Sequence, residues 1–150
     1  MNTTNQDLFH LLVDYTVLTP DQVILENGYR PKDWECLDKV KTGVEEFELK
    51  LFSFGHRVSS EEAIRFMKED GFDPADGITA EAFKRAYPQE TQKGSIVFLN
   101  SSWRNRAAGG RGLGYLRWHV KRCYLCLIWY ECGWDDYWRF AGVRKVSKAS

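Results

Sequence analysis

The stretch SSWRNRAAGGRGLGYLRWHVKRCYLCLIWYECGWDDYWRFAGVRK, residues 101–145, decides how this chain folds. Five of the six tryptophans (Trp103, Trp118, Trp129, Trp134, Trp138) and four of the seven tyrosines (Tyr115, Tyr124, Tyr130, Tyr137) fall inside it, more rings than one sheet face can bury. Some must be displayed. Rings with a polar tip give large contact area for little lost conformational freedom, which is why binding surfaces are rich in them. The run YLCLIWY at 124–130 alternates: Leu125, Leu127 and Trp129 fall on one side of a strand and Tyr124, Cys126, Ile128 and Tyr130 on the other. The first set is uniform, as a core layer should be. The second mixes sizes and polarities, as a side free of packing constraints does, although a strand buried on both faces would also hold a Cys and an Ile.

Working outward, 150 residues with 43% hydrophobic content suffice for one domain with a core and a small appendage. No apolar run approaches the ~18–20 residues of a membrane span, and no basic-then-apolar leader opens the chain, so residence in the cytoplasm is expected. The net charge of zero hides an asymmetry. Residues 101–150 hold ten Lys and Arg against Glu131, Asp135 and Asp136, a net +7 balanced by −7 in the remainder. A basic, aromatic segment on an acidic body attracts polyanions or acidic proteins.

Three of the four cysteines lie close together, and with His119 they spell H-x3-C-x2-C-x5-C (Cys123, Cys126, Cys132), four ligand types that zinc accepts. The strand alternation separates Cys123 from Cys126, which does not suit a tetrahedral site. Incidental thiols are the expectation, with no metal and no cofactor.

Toward the N-terminus, Leu8, Leu11, Leu12 and Tyr15 stand at helical spacing and predict a short helix over 5–17. Thr19-Pro20 is a cap-then-first-turn pair for a second helix over 21–26, stopped at Asn27-Gly28. Pro31 predicts a third turn with Trp34, Leu37 and Val40 on one face. Residues 1–43 are therefore expected to form a helical appendage. A helix-turn-helix that reads DNA is disfavoured, because residues 1–42 carry a net charge of −3 (four basic side chains against seven acidic), the wrong sign for a phosphate-binding surface.

From residue 44 the period changes. Phe47, Leu49 and Leu51 alternate with Glu46, Glu48 and Lys50 in a half-exposed strand ended by Gly55. Ser59 and Glu62 form a capping box before a helix with Ala63, Ile64 and Met67 inward, closing at Gly71. Thr79 is expected to cap a further helix with Phe83, Ala86 and Tyr87 inward and Pro88 as its stop. SIVFL at 95–99 is an apolar strand, followed by a Gly-rich basic excursion over 104–114 and two or three more strands. The fold class is α+β.

The order of elements from Phe47 on, together with SIVFLNSSW and WRFAGVRK, resembles the C-type lectin fold in its compact form, in which the first and last strands pair and two helices pack on the sheet. FSFGHRVSSEEAIRFMKEDGF with those two motifs is similar to an uncharacterised family of bacterial proteins ending in RFxxVRK. That family is similar in turn to the variable proteins of diversity-generating retroelements, in which adenine-directed mutagenesis randomises codons on the lectin-like surface and spares the scaffold. The resemblance covers about 46–145 and implies a lectin-like domain over 44–150 with a hypervariable-type surface at about 103–139.

Carried over residue by residue, it implies scaffold roles for Trp103, Leu116, Leu125, Leu127, Trp129, Trp134, Arg139, Phe140, Val143 and Arg144. The implied ligand-facing set is Arg104, Asn105, Arg117, Trp118, His119, Tyr124, Cys126, Ile128, Tyr130, Cys132, Asp135, Asp136, Tyr137 and Trp138. Tyr, Cys, Ile, His, Arg and Asp are all reachable from an Asn codon by replacing adenines alone, so randomised thiols need no metal. Trp118 and Trp138 depart from this, since TGG requires an AAG parent, and Cys123 stands where the family tends to have Arg.

The expectation is a binding protein, not an enzyme, whose ligand is a protein. The alternatives are a nucleic-acid binder, with Arg104, Arg106, Arg111, Arg117, Lys121 and Arg122 among rings able to stack on bases, and a Cys/His zinc protein. Calcium-dependent sugar binding is poorly served by three carboxylates in the last third, since calcium takes six to eight oxygens. The fold also resembles formylglycine-generating oxidases, which use two cysteines and copper on a much longer chain, a poor match to Cys126 and Cys132. Adjacent Asp135 and Asp136 diverge on a strand and make a weak acid-base pair. Alanine at Tyr124, Tyr130, Tyr137 or Trp138 is expected to spare stability, and alanine at Trp129 or Trp134 to cost ~3–5 kcal/mol.

Overall fold

A computed structural model describes residues 8–37 and 41–146. In chain order the elements are β1 (Leu8–Asp14), α1 (Pro20–Glu26), a 3-10 turn (Pro31–Asp33), β2 (Trp34–Cys36), β3 (Val44–Phe52), α2 (Ser60–Glu69), β4 (Asp73–Pro74) and α3 (Gly77–Ala86). A second 3-10 turn (Pro88–Lys93), β5 (Ile96–Asn105), β6 (Arg111–His119), β7 (Arg122–Trp129) and β8 (Arg139–Lys145) complete it. The described residues thus form an α+β molecule around one eight-stranded sheet.

The sheet runs β1-β3-β8-β5-β6-β7, with β2 paired to β5 and β4 to β8. The β3–β8 pair is antiparallel, Leu49 opposite Val143, while β5 and β8 run parallel. The strand period of two divides the side chains between two cores. On one face Leu11, Phe47, Leu49, Ile96, Phe98, Leu116 and Leu125 pack under α1 and α3. On the other, Phe52, Val97, Leu99, Leu113 and Phe140 meet Ala63 and Met67 of α2 and the indole of Trp134. A Cβ on Gly77 would overlap the Trp103 ring, so the first turn of α3 lies flush on that indole. Buried Glu81 ties α1 to α3, accepting from Asn27 Nδ2 (2.9 Å) and Arg85 Nε (2.8 Å).

The caps explain where helices begin. Thr19 Oγ1 accepts from Gln22 N with Pro20 in the first turn of α1. Ser59 and Glu62 bond reciprocally at the head of α2, at 3.1 and 2.9 Å. At α3 the expected cap is corrected: Asp76 is the N-cap, and Thr79, three residues on, donates both its N–H and its hydroxyl to Asp76 Oδ1 at 2.8 Å. Ala86 is exposed, not inward.

The N-terminal helix is also corrected. Leu8–Asp14 is a strand whose alternate residues Phe9, Leu11 and Val13 face the core beside β3. The sequence satisfies both periods here, and pairing along the whole open edge of β3 decides for the strand. The part of that prediction over 5–7 lies outside the described residues. After one turn at Pro31, Trp34–Cys36 is likewise strand, pairing Cys36 with Trp103; Val40 lies outside the described residues. Residues 8–36 therefore add two strands to the common sheet instead of standing apart as a helical appendage. The excursion over 104–114 shrinks to a tight turn, held by Asn105 Oδ1 accepting from Ala107 N and Ala108 N, with Gly109 at φ 80°.

Candidate binding face

The β6–β7 hairpin sets the geometry. Its register places Leu113 opposite Ile128, Tyr115 opposite Cys126, Arg117 opposite Tyr124 and His119 opposite Arg122, all on the face that carries the second core. Gly112, Gly114, Leu116 and Trp118 share the other face with Trp129, Leu127, Leu125 and Cys123. The hairpin tip is strained: Val120, the one non-glycine with positive φ among the described residues, sits at 60° and is strongly exposed. The left-handed region costs a residue with a Cβ ~1–2 kcal/mol, and a β-branched one is rarely found there.

The loop between β7 and β8 extends this face. Trp134 is fully buried; its backbone exchanges hydrogen bonds with Val58 (2.9 and 3.0 Å), and its Nε1 donates to Ser60 Oγ at 2.9 Å. Ser60 in turn donates to the Tyr130 carbonyl at 2.8 Å. The loop is thereby pinned to the head of α2, and it holds Trp138 edge-on to Trp134 (4.9 Å between centroids) and to Tyr115 (5.4 Å). Tyr137 stacks on Trp138 at 5.8 Å and is 64% exposed.

A continuous strip results, from Tyr137 and Trp138 across Tyr115 to Cys126, Arg117 and Tyr124, ending at His119 and Arg122. Arg122 Nε donates to the Tyr124 hydroxyl at 2.8 Å with its guanidinium 4.8 Å from the ring centre. At the opposite end Arg111 lies 3.7 Å over the Tyr130 ring. Burial and Glu61 push the Tyr130 phenol above its usual pKa; burial and the neighbouring Cys126 do the same for Tyr115.

The expected ligand-facing set therefore divides. Arg117, His119, Tyr124, Cys126, Tyr137 and Trp138 come together on the strip. Ile128, Tyr130 and Cys132 lie on the same side but are half-buried and packed on the second core, so alanine at Tyr130, as at Trp138, removes real packing. Arg104 pairs across the sheet with Arg111 at the far end, and Asn105 is spent holding its turn. Asp135 is bound by Arg57 at 2.6 Å, and Asp136 is exposed. Trp118 is a correction: one residue from both Arg117 and His119, it points to the opposite face, as alternation requires. Trp129 is a second: it shares a face with Leu125, yet at the strand's end it rests beside Gly110 and Trp34 and stays 42% exposed. The expected ligand-facing set lacks Tyr115 and Arg122, although Arg122 stands among the cations of the nucleic-acid reading and the alternation Tyr115, Arg117, His119 marks the face.

Cys123 and Cys126 stand on opposite faces of β7, and burial pushes the Cys123 thiol above its ordinary pKa. Among the described residues no group of three or more His, Cys, Asp or Glu gathers to hold a metal ion, and no helix is long and apolar enough to cross a membrane. Compared with family models, curated proteins and solved structures, the chain matches none.

Proposed function

We propose that this chain is a ligand-binding protein of the kind diversified by retroelements, presenting a tailored aromatic and polar surface on a C-type-lectin-like scaffold and recognising a protein ligand. The observation that carries the reading is the division of labour along β6 and β7. One residue set packs toward the core under α3, while the alternate set gives Leu113 and Ile128 to the second core and, from Tyr115 to the tip, joins Tyr137 and Trp138 of the pinned loop in a ring-rich strip that is half-buried to exposed. Few anchors of Tyr, Trp and Arg type suffice for affinity when the frame beneath them is rigid. The antiparallel β3–β8 pair, with α2 and α3 on the sheet, agrees with the lectin-type arrangement that the sequence resembles.

Nucleic-acid binding is the second reading, favoured by Arg104, Arg106, Arg117, Lys121 and Arg122, none of which forms an ion pair with a described residue. Sequencing the DNA that flanks the gene tests the first reading. It predicts a reverse-transcriptase gene and a near-copy of the segment encoding 103–144 that differs at adenines. Flanking DNA without either overturns it.

A further inference from the structure

The hairpin tip is unusual in its charge. From Arg111 through Trp129 the chain has no Asp or Glu, while Arg117, His119, Lys121 and Arg122 crowd the end of β6 and β7. Elsewhere several arginines are matched to carboxylates, Arg85 to Glu81 and Glu26, Arg144 to Glu48, Arg57 to Asp135 and Arg30 to Asp33, whereas Arg65, Arg104, Arg106 and Arg111 form no ion pair with a described residue. Arg117, Lys121 and Arg122 form no such pair with any described residue, and all three are exposed. Arg122 is nonetheless held in place, its Nε on the Tyr124 hydroxyl and its plane near that ring, which leaves its two terminal nitrogens for an incoming acceptor. A guanidinium already fixed on a ring loses less freedom when it binds a carboxylate bidentately.

We propose that this end of the strip docks an acidic polypeptide segment: carboxylates over Arg117 and Arg122, and a neighbouring apolar or aromatic residue on Tyr124, Tyr115 and Trp138. The proposal rests on the binding-face reading above and adds the chemistry of the partner. Charge complementarity selects a short acidic segment over nucleic acid. A sequence-independent nucleic-acid site commonly engages on the order of 6–10 phosphates. The tip offers three cationic side chains, Arg117, Lys121 and Arg122, on a chain whose residues outside 101–150 carry net −7 and repel a long polyanion.

Panning the full-length protein against a phage-displayed library of random dodecapeptides tests this, with the Arg117→Ala/Arg122→Ala and Arg117→Glu/Arg122→Glu pairs in parallel. A Lys32→Ala/Lys68→Ala pair, which removes exposed cations elsewhere, is the control, and circular dichroism melts verify folding. Enriched peptides are expected to carry an excess of Asp and Glu and to bind the alanine pair at least ~10-fold more weakly, as the loss of charged hydrogen bonds implies. The control pair should bind them unchanged, and the Glu pair should enrich basic peptides instead. Enrichment of peptides without acidic excess, with retention lost on Tyr124→Ala, overturns the acidic partner and leaves the binding face standing. Retention independent of Arg117, Arg122 and Tyr124 overturns both. Tighter binding of a 20-nucleotide single-stranded DNA than of the acidic peptides, lost in the same arginine pair, overturns the proposal in favour of nucleic acid.

Discussion

Trp129 and Trp134 lie five residues apart in the same ring-rich segment, and their surroundings give them opposite weights. Trp134 has no exposed surface, rests against Trp138 and Phe140, and places its one donor on Ser60 Oγ. Removing such a ring loses its transfer free energy and leaves a cavity, so Trp134→Ala should destabilise by ~3–5 kcal/mol in urea unfolding. Trp129 is 42% exposed and shares its contact with Trp34, whose centroid is 6.1 Å away. Trp129→Ala should cost less than about half as much, because much of its area is already in water. Equal losses would show that the exposed tryptophan belongs to the core after all. Alternation alone cannot separate the two, since position along a strand decides whether an inward-pointing ring has anything to cover it.

At the scale of elements, the hairpin tip is the place where chain geometry and stability disagree. Val120 adopts φ 60° between β6 and β7 with 72% of its surface exposed, so its side chain returns little for the strained backbone. Val120→Gly should raise stability by ~1 kcal/mol, read as a higher urea midpoint at unchanged slope, because glycine enters that region without the Cβ clash. A lower midpoint would mean that the valine packs on a neighbour. Other elements were legible from sequence to differing degrees. The capping box at Ser59 and Glu62, the Thr19-Pro20 start of α1 and the alternation of β3 and β7 are local signals, and each marks its element in the structure. β1 and β2 were not legible: Leu8, Leu11, Leu12 and Tyr15 fit a helix as well as a strand, and only the open edges of β3 and β5 choose between them. The cap of α3 is ambiguous in the sequence for a related reason, since Asp76 and Thr79 are both good caps and share one hydrogen-bonded turn.

At the scale of the molecule, one sheet carries two cores, and the second is only partly covered. α2 and the loop pinned by Trp134 cover its middle, while the part of β6 and β7 nearest the tip remains open. On the proposed binding function, the side chains there contribute contact and not cohesion. Part of that strip is legible in the alternation of β7, through Tyr124 and Cys126, while Ile128 of the same mixed set packs on the second core. The rest depended on the register of β6, which brings Tyr115 and Arg117 beside them, and on the loop fold that delivers Trp138. Urea unfolding of the triple variant Arg117→Ala/Tyr124→Ala/Tyr137→Ala is the most direct measurement of this separation. If the strip serves contact alone, the loss stays below about 1.5 kcal/mol with an unchanged slope, the range of surface substitutions; a loss as large as that of Trp134→Ala would contradict that separation.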